Sequence, residues 1–527
     1  MARNRIIYAS QSVWCNGELL YRVQSLGSTT TFTSEDIFEL GHLDIVDVVD
    51  DVPAVAVTLN TNDFGDLRTM ATLAQLPAAK KAMDATVTQT TANLRVVNSA
   101  GVVQSYLHGV SLADFAVVCG NLAGVTIWAP VQDECSLGTL DNNIDQTLFL
   151  DEVYVNSLEF SYTTGANATE NYGAETDNKM WLLNDGRFVT MDSFTVSGTP
   201  TYIDLSLAPS NLIAEMSTGN LAFLRKSDEG TPAVTWYDVS RNEVANVAVV
   251  SGTVAAVDTF VYYNTGTEHR IFLPTGTVFD TEDRIEVIYA ADAYGSSATG
   301  NYFTILDNVE RPDMIGALRQ GQVEVYIVSD SDTSFTNAWR LTGCTITSDL
   351  TREALTELGH LAPYDRPLTL PVPITVTIDT TMGDLENWSV FANKREEFAA
   401  DTLDDISLKD LMFEEDLKLV VKVFAQTDED AGGTGANRRL ASDSPLIGQS
   451  YFNDGTRAVY SAAGEREYAL KTIVVEHLKI TDEGNTLDMG ANMTQTFGFR
   501  STNDLYAVKG DISISAITSG NKIRRNG

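Results

Sequence analysis

His42 and His360 are the side chains in this sequence best suited to acid–base or ligand chemistry, since each sits in the same context, Glu39-Leu40-Gly41-His42-Leu43 and Glu357-Leu358-Gly359-His360-Leu361. An imidazole needs an orienting carboxylate or a second ligand to act as a general base or to hold a metal. Beyond Glu39 and Glu357 of the block itself, no such partner repeats with either histidine. The pattern therefore points to a turn in which glycine relaxes the backbone and histidine hydrogen-bonds locally. Adjacent carboxylates such as Asp50 and Asp51, or Glu414 and Glu415, have the composition of an acid–base pair, but a chain with 72 acidic residues produces such neighbours by chance, and a solvated face accounts for them. Asp330-Ser331-Asp332 and Asp428-Glu429-Asp430 resemble the opening of a calcium loop, yet neither continues with Gly at the sixth position and Glu at the twelfth. Phosphate-loop, HExxH and GxSxG patterns are absent from the sequence. A protein without catalytic residues, without a cofactor and without a designed metal site is expected.

The elements that must carry these residues come twice. Gly65-Asp66-Leu67 returns as Gly383-Asp384-Leu385 at the offset of the histidine blocks, 359 − 41 = 318. Farther on, Gly165-Ala166-Asn167-Ala168-Thr169-Glu170-Asn171-Tyr172-Gly173 is echoed by Gly490-Ala491-Asn492-Met493-Thr494-Gln495-Thr496-Phe497-Gly498. A helix is expected after each Gly-Asp-Leu, with apolar residues at helical spacing in Leu67, Met70, Leu73 and in Leu385, Trp388, Phe391. A second helix is expected at Ser111-Leu112-Ala113-Asp114 and at Ser407-Leu408-Lys409-Asp410, where Ser caps free amides and Asp favours the positive helix end. Strands follow at Val125 to Trp128 and at Leu419 to Phe424. Most other segments alternate with period two and are rich in Thr, Val, Ile and Tyr, as in Ala54 to Leu59, Gln322 to Ile327 and Ile374 to Ile378. Asn16-Gly17, Asp185-Gly186 and Asp454-Gly455 mark hairpins between strands.

The expected fold is therefore mainly β: two tandem β-barrel or sandwich lobes, each with a flanking α-helix, plus an inserted small β domain. The boundaries read from the repeat are 1–190, 191–315 and 316–527. The copies differ by insertions, an extra hairpin at 84–108 in the first and a long loop from Thr427 to Leu470 in the second. Asn167-Ala168-Thr169, Asn387-Trp388-Ser389 and Asn492-Met493-Thr494 are formal glycosylation sequons, two of which belong to the repeated block, where a turn and the strand after it explain them.

Composition narrows the class. A chain of 527 residues exceeds one hydrophobic core, and 43% hydrophobic content belongs to a folded protein. The formal charge of −37 repels nucleic acid phosphates and other copies of the chain unless salt screens it. The acid is spread along the whole length, which favours adaptation to concentrated salt over a single acidic face. Cys15, Cys119, Cys135 and Cys344 show no CxxC pair, as expected of small buried thiols. Met1 to Ser10 lacks the apolar run of a secretory signal, so synthesis and folding in a cytoplasm are expected. The most apolar stretch, Phe115 to Val131, is broken by Gly120, Asn121, Gly124 and Pro130 and reads as a helix end and a strand rather than a membrane span.

At the repeated blocks the chain resembles the major tail tube proteins of long-tailed phages and tailed haloarchaeal viruses, whose fold is similar to the tube protein of type VI secretion. The ELGHL turns, the SLxD caps and the strands around Gly165, Asn167 and Thr169, matched by Gly490, Asn492 and Thr494, carry the resemblance. It covers about residues 5–190 and 316–527 by the repeat criterion. A typical tube subunit has one lobe and this chain has two, with an insert between them. The resemblance implies a structural virion protein of a siphovirus-like tail, assembled in the host cytoplasm. If single-lobe relatives close as sixfold rings, a two-lobed chain closes as a homotrimer, a pseudo-hexameric ring around a channel for viral dsDNA. The implied partners are the chain itself, a tail terminator, baseplate or tip proteins, a tape measure protein and the passing dsDNA, with no membrane anchor. Asp44, Asp47, Asp50 and Asp51 in one loop, and Arg438 and Arg439 in the other, are candidates for contacts to the next ring. An extracellular carbohydrate-binding or adhesin protein of tandem β domains is the alternative, and a hydrolase with an acidic cleft a third.

Overall fold

In the computed structural model of the chain, the described residues run from 11 to 525; the longer stretches outside them are 77–91, 131–139, 196–201, 206–219, 228–233, 241–259, 273–283, 293–322, 330–340, 357–362, 393–399, 411–416, 425–468 and 487–492. The strands of the first part are β1 (Gln11–Cys15), β2 (Glu18–Leu19), β3 (Val23–Thr31), β4 (Ser34–Phe38), β5 (Ile45–Asp50), β6 (Ala54–Thr61), β7 (Leu94–Val97), β8 (Val103–Leu107), β9 (Gly109–Ser111), β10 (Asn121–Pro130), β11 (Leu140–Thr163), β12 (Thr169–Thr176) and β13 (Asn178–Leu183). Then come β14 (Arg187–Thr195), β15 (Tyr202–Leu205), β16 (Asn220–Ser227), β17 (Val234–Ser240), β18 (Phe260–Asn264), β19 (His269–Phe272) and β20 (Arg284–Asp292). The last part holds β21 (Val323–Ser329), β22 (Leu341–Asp349), β23 (Pro373–Thr381), β24 (Leu417–Phe424), β25 (Ala469–Thr486), β26 (Thr494–Thr502), β27 (Leu505–Lys509) and β28 (Lys522–Arg525). Three short α-helices, α1 (Arg68–Leu73), α2 (Glu386–Phe391) and α3 (Ile514–Ile517), and a 3-10 helix, Leu112–Val117, complete the described elements. The fold is mainly β.

Two compact units are present, each drawn from several stretches of chain: 1–20, 120–153 and 178–310 in one; 21–119, 154–177 and 311–527 in the other. These divisions do not follow the sequence-based boundaries 1–190, 191–315 and 316–527. One cut falls within the single long strand β11.

The first unit contains the antiparallel run β2-β1-β10 with the first half of β11, which also pairs β13. Its second sheet, in the order β14-β20-β16-β17-β18-β19-β15, uses only strands between Arg187 and Asp292. Asn16, at φ 51°, turns the chain between β1 and β2, where the Asn-Gly pair predicted a hairpin. Trp14 is fully buried and stacks on Phe149 at 6.3 Å.

The second unit is built on one continuous antiparallel order, β3-β6-β12-β11-β22-β23-β26-β25. The first four strands and the last four come in the same order by copy, so the two lobes lie edge to edge in one sheet. Alternation is strict: Val55, Val57 and Leu59 of β6 are buried while Ala54, Ala56 and Thr58 are exposed, and Ile374, Val376 and Ile378 of β23 repeat the pattern. The first half of β25 joins a second sheet, β21-β24-β25-β27-β9, which reproduces β1-β10-β11-β13 of the first copy. The hairpin expected at 84–108 is β7–β8, and β28 from the C-terminal end adds to its edge.

The repeat extends to irregularities that no alternation pattern specifies. Glu152 in β11 and His477 in β25 both adopt positive φ, 50° and 55°, at the offset of the Gly165 and Gly490 blocks, 490 − 165 = 325. Register shifts follow at Val155/Ser157 and at Ile480/Asp482, again equivalent. Opposite each bulge stands the last glycine of the repeated block, Gly173 against Ser157 and Gly498 against Asp482. A Cβ on these glycines would lie 2.3 Å from Ser157 Oγ and 2.1 Å from Asp482 Oδ1. A bulge of this kind bends and twists its own strand, and the glycine opposite leaves room for it.

Candidate functional site

Strand alternation gives the eight-stranded sheet an outer face of small polar side chains. Thr58 and Asn60 of β6, Asn171 of β12, Ser157, Glu159 and Ser161 of β11, Thr345 and Thr347 of β22 and Thr375 and Thr377 of β23 point the same way. Across β6, β12 and β11 they form a polar ladder: Asn60 Nδ2 donates to Asn171 Oδ1 at 2.5 Å, and Asn171 Nδ2 donates to Glu159 Oε1 at 3.1 Å. The second copy repeats one rung with different residues, Thr496 Oγ1 donating to Asp379 Oδ1 at 2.7 Å. An open concavity of about 540 Å³ lies on this face, bordered by Ser25, Asn60, Glu159, Asn171, Asp349 and Thr375. Its charges among the described residues are mostly carboxylates: Glu159, Glu175, Asp349, Asp379 and Asp482 against Lys479 and Arg500. Glu175 is paired with Arg366 at 2.8 Å. Such a face is hydrophilic and carries few groups that grip an anion.

The inner face is fixed by polar groups that the sequence did not single out. Lys471 and Glu170 form an ion pair whose side chains are 1% and 2% exposed, and Tyr172 Oη donates to the other Glu170 oxygen at 3.0 Å. Burial, with Glu170 nearby, pushes the Tyr162 phenol well above its ordinary range. Burial, with Asp379 second, pushes the Cys344 thiol up to about 12, which leaves it protonated and inert. Arg352 donates from Nε to Val155 O at 3.0 Å, from Nη1 to Arg366 O at 2.9 Å and from Nη2 to Phe115 O at 2.7 Å, tying the β11 bulge to the 3-10 helix.

The SLxD blocks occupy equivalent caps, with one correction. Ser111 N–H and Oγ donate to Asp114 Oδ2 at 2.8 and 2.9 Å, and Ser407 N–H and Oγ donate to Asp410 Oδ2 at 2.7 and 2.8 Å. The aspartate thus reaches back to the serine, and the helix it opens in the first copy is 3-10 rather than α, with β9 pairing right up to Ser111. Arg525 Nε lies 2.9 Å from Asp114 Oδ1, adding a contact from β28. Burial raises the Asp114 carboxyl, against the lowering effect of its hydrogen bonds and Arg525.

Glu476 is a buried acid whose protonation is tied to the folded state. Burial raises it to about 7, against the lowering effects of Lys418, the Ile523 N–H at 3.1 Å and Arg524, and with Asp504 raising it further. The folded value exceeds the ordinary 4.5, so the folded chain keeps a proton that the unfolded chain releases. The stability this group contributes is complete below the ordinary value and is lost as pH rises through about 7. The unfolding midpoint should therefore fall between about pH 5 and about pH 8, and Glu476→Gln should flatten that slope, as read by thermal denaturation across pH.

The repeated blocks lie in sequence between paired segments. The ELGHL block of the first copy joins β4 to β5, paired from Ser34↔Asp50 to Phe38↔Ile45, and that of the second lies between Leu355 and Asp365, which form an isolated bridge. Leu40 is fully exposed, whereas Glu39, Gly41, His42, Leu43 and Glu357 to Leu361 lie outside the described residues. Asp47 is an exposed residue of β5 and Asp50 ends that strand; Asp44, Asp51, Arg438 and Arg439 lie outside the described residues. Thr169 and Thr494 open β12 and β26, Gly165 turns at φ 80° and Asn167 is exposed, while Gly490 and Asn492 lie outside. Sequence reasoning chose the acids of the first hairpin and missed its apolar residues: Phe32, Ile37, Phe38, Ile45 and Val48 are 42–80% exposed. Their signal was present as apolar residues in a two-stranded element, which by itself has one face too many to bury. No protein-family model matches this sequence, and no curated protein matches it.

Proposed function

We propose that this chain is a structural virion protein, the major tail tube subunit of a tailed virus, forming stacked trimeric rings of six lobes around a channel for dsDNA. The observation that carries the reading is the junction inside the chain. Strand β11 of the first lobe pairs β22 of the second from Ser157↔Asp349 to Thr163↔Gly343, so equivalent lobes already join side by side in one sheet. A head-to-tail contact that repeats by rotation closes a ring. The small, polar, carboxylate-bearing outer face suits a lumen, since duplex phosphates slide past it without the multiple cation contacts that produce tight binding. The apolar β4–β5 hairpin suits a contact with the next ring. Acidity spread over the rest of the chain suits a salt-loving host.

Electron cryo-microscopy of the purified protein in molar salt tests this. Rings or tubes with six lobes from three chains are expected. Rings of four or five lobes, or monomers at every salt concentration, would overturn it.

A further inference from the structure

The ring reading leaves two strand edges to be matched, and they are chemically unlike the edges already joined. Among the described residues β3 pairs only β6, and the last part of β25 pairs only β26. These two edges are the equivalents of β22 and β11, because β3 precedes β22 by the 318 offset and β25 follows β11 by the 325 offset, with matching bulges in each. Resting on the tube reading, we infer that the β25 edge of one chain takes the β3 edge of a second copy in the register of the internal junction, and that this seam closes only when salt screens it.

Register follows from the internal pairs. Leu158↔Ser348, Glu159↔Thr347 and Phe160↔Ile346 become Glu483 opposite Thr30, Gly484 opposite Thr29 and Asn485 opposite Ser28 of the second copy. The internal rows bury Leu158, Phe160 and Ile346 at 0–1% exposure. The outer rows place a carboxylate, an amide and hydroxyls at the same positions. Backbone hydrogen bonds are available at both seams, but the outer one gains little from apolar burial and must bring together two chains of charge −37. An edge of polar side chains also keeps dispersed chains from pairing in dilute buffer. A ring built this way has strong seams within chains and salt-dependent seams between them, so it opens at every second junction.

A paired cysteine variant tests the register. A Cβ on Gly484 meets nothing within 4 Å, and Thr29 is exposed, so Thr29→Cys with Gly484→Cys leaves the fold intact. In molar salt, oxidation should give covalent dimers and trimers on a denaturing gel. The parent chain, with its own thiols, and Ser25→Cys with Gly484→Cys, four residues out of register, should stay monomeric. The linked fraction should fall several-fold in dilute buffer, and adding Asp482→Asn and Glu483→Gln should restore it there. Rings in the microscope without this cross-link would overturn the seam and leave the tube reading standing. Cross-linking without rings supports the seam and removes the tube reading, and neither rings nor cross-links at any salt removes both. A linked fraction independent of salt overturns the screening requirement.

Discussion

Lys471→Met should lower the unfolding free energy by about 3–5 kcal/mol, measured by urea denaturation. The lysine reaches from the first half of β25 to Glu170 of β12, and its amine lies 5.0 Å over the Phe160 ring, in a place with almost no solvent access. Removing it leaves a carboxylate in the core with the Tyr172 hydroxyl as a neutral donor. The cost is that of the uncompensated charge rather than of the pair itself, so a second change that removes the charge should recover much of the loss. Nature of the partner lobe suggests which change: Gln495 stands at the position equivalent to Glu170 and is 1% exposed, with its amide donating to Glu483 Oε1 at 2.9 Å. Lys471→Met with Glu170→Gln should therefore be more stable than Lys471→Met alone. A single-variant loss under about 1 kcal/mol, typical of an exposed pair, would contradict the burial argument.

Phe497→Ala should cost about 3–5 kcal/mol by the same measurement. Phe497 is fully buried on β26, where it meets Phe391 of α2 at a ring separation of 4.4 Å and 71°, and Trp388 at 6.3 Å and 74°. Phe391 also meets Phe499 at 5.3 Å. Edge-to-face pairs of this kind add to the area buried, and truncation removes both and leaves a cavity under a six-residue helix that has little stability of its own. Phe497→Leu should lose less than half as much, because most of the volume remains. An equal loss for both variants would show that ring geometry, rather than filled space, holds α2 to the sheet.

The two lobes solve this contact differently. The positions equivalent to Trp388, Phe391 and Phe497 are Met70, Leu73 and Tyr172, all buried. Helical spacing in the sequence located both helices at the right residues because a short helix on a sheet needs only an apolar stripe to dock. Which ring meets which was not legible, since the contacts join residues about a hundred positions apart.

Sequence alone determined the β character, the repeat, the two helices, a hairpin within 84–108 and the capping serines, because each depends on a local period, a turn residue or a short-range hydrogen bond. Gly173 and Gly498 recur in the sequence as the ends of the repeated blocks, but only the strand pairing shows that they stand opposite bulges. The tertiary structure decided what pairs with what. That β11 passes from one sheet into another, that the first lobe's sheet continues into the second, and that Lys471 answers Glu170 across 301 residues are matters of strand partners and layer packing. Alternation tells which side chains share a face of a strand, but not which strand lies beside it, and that choice is made by the core as a whole.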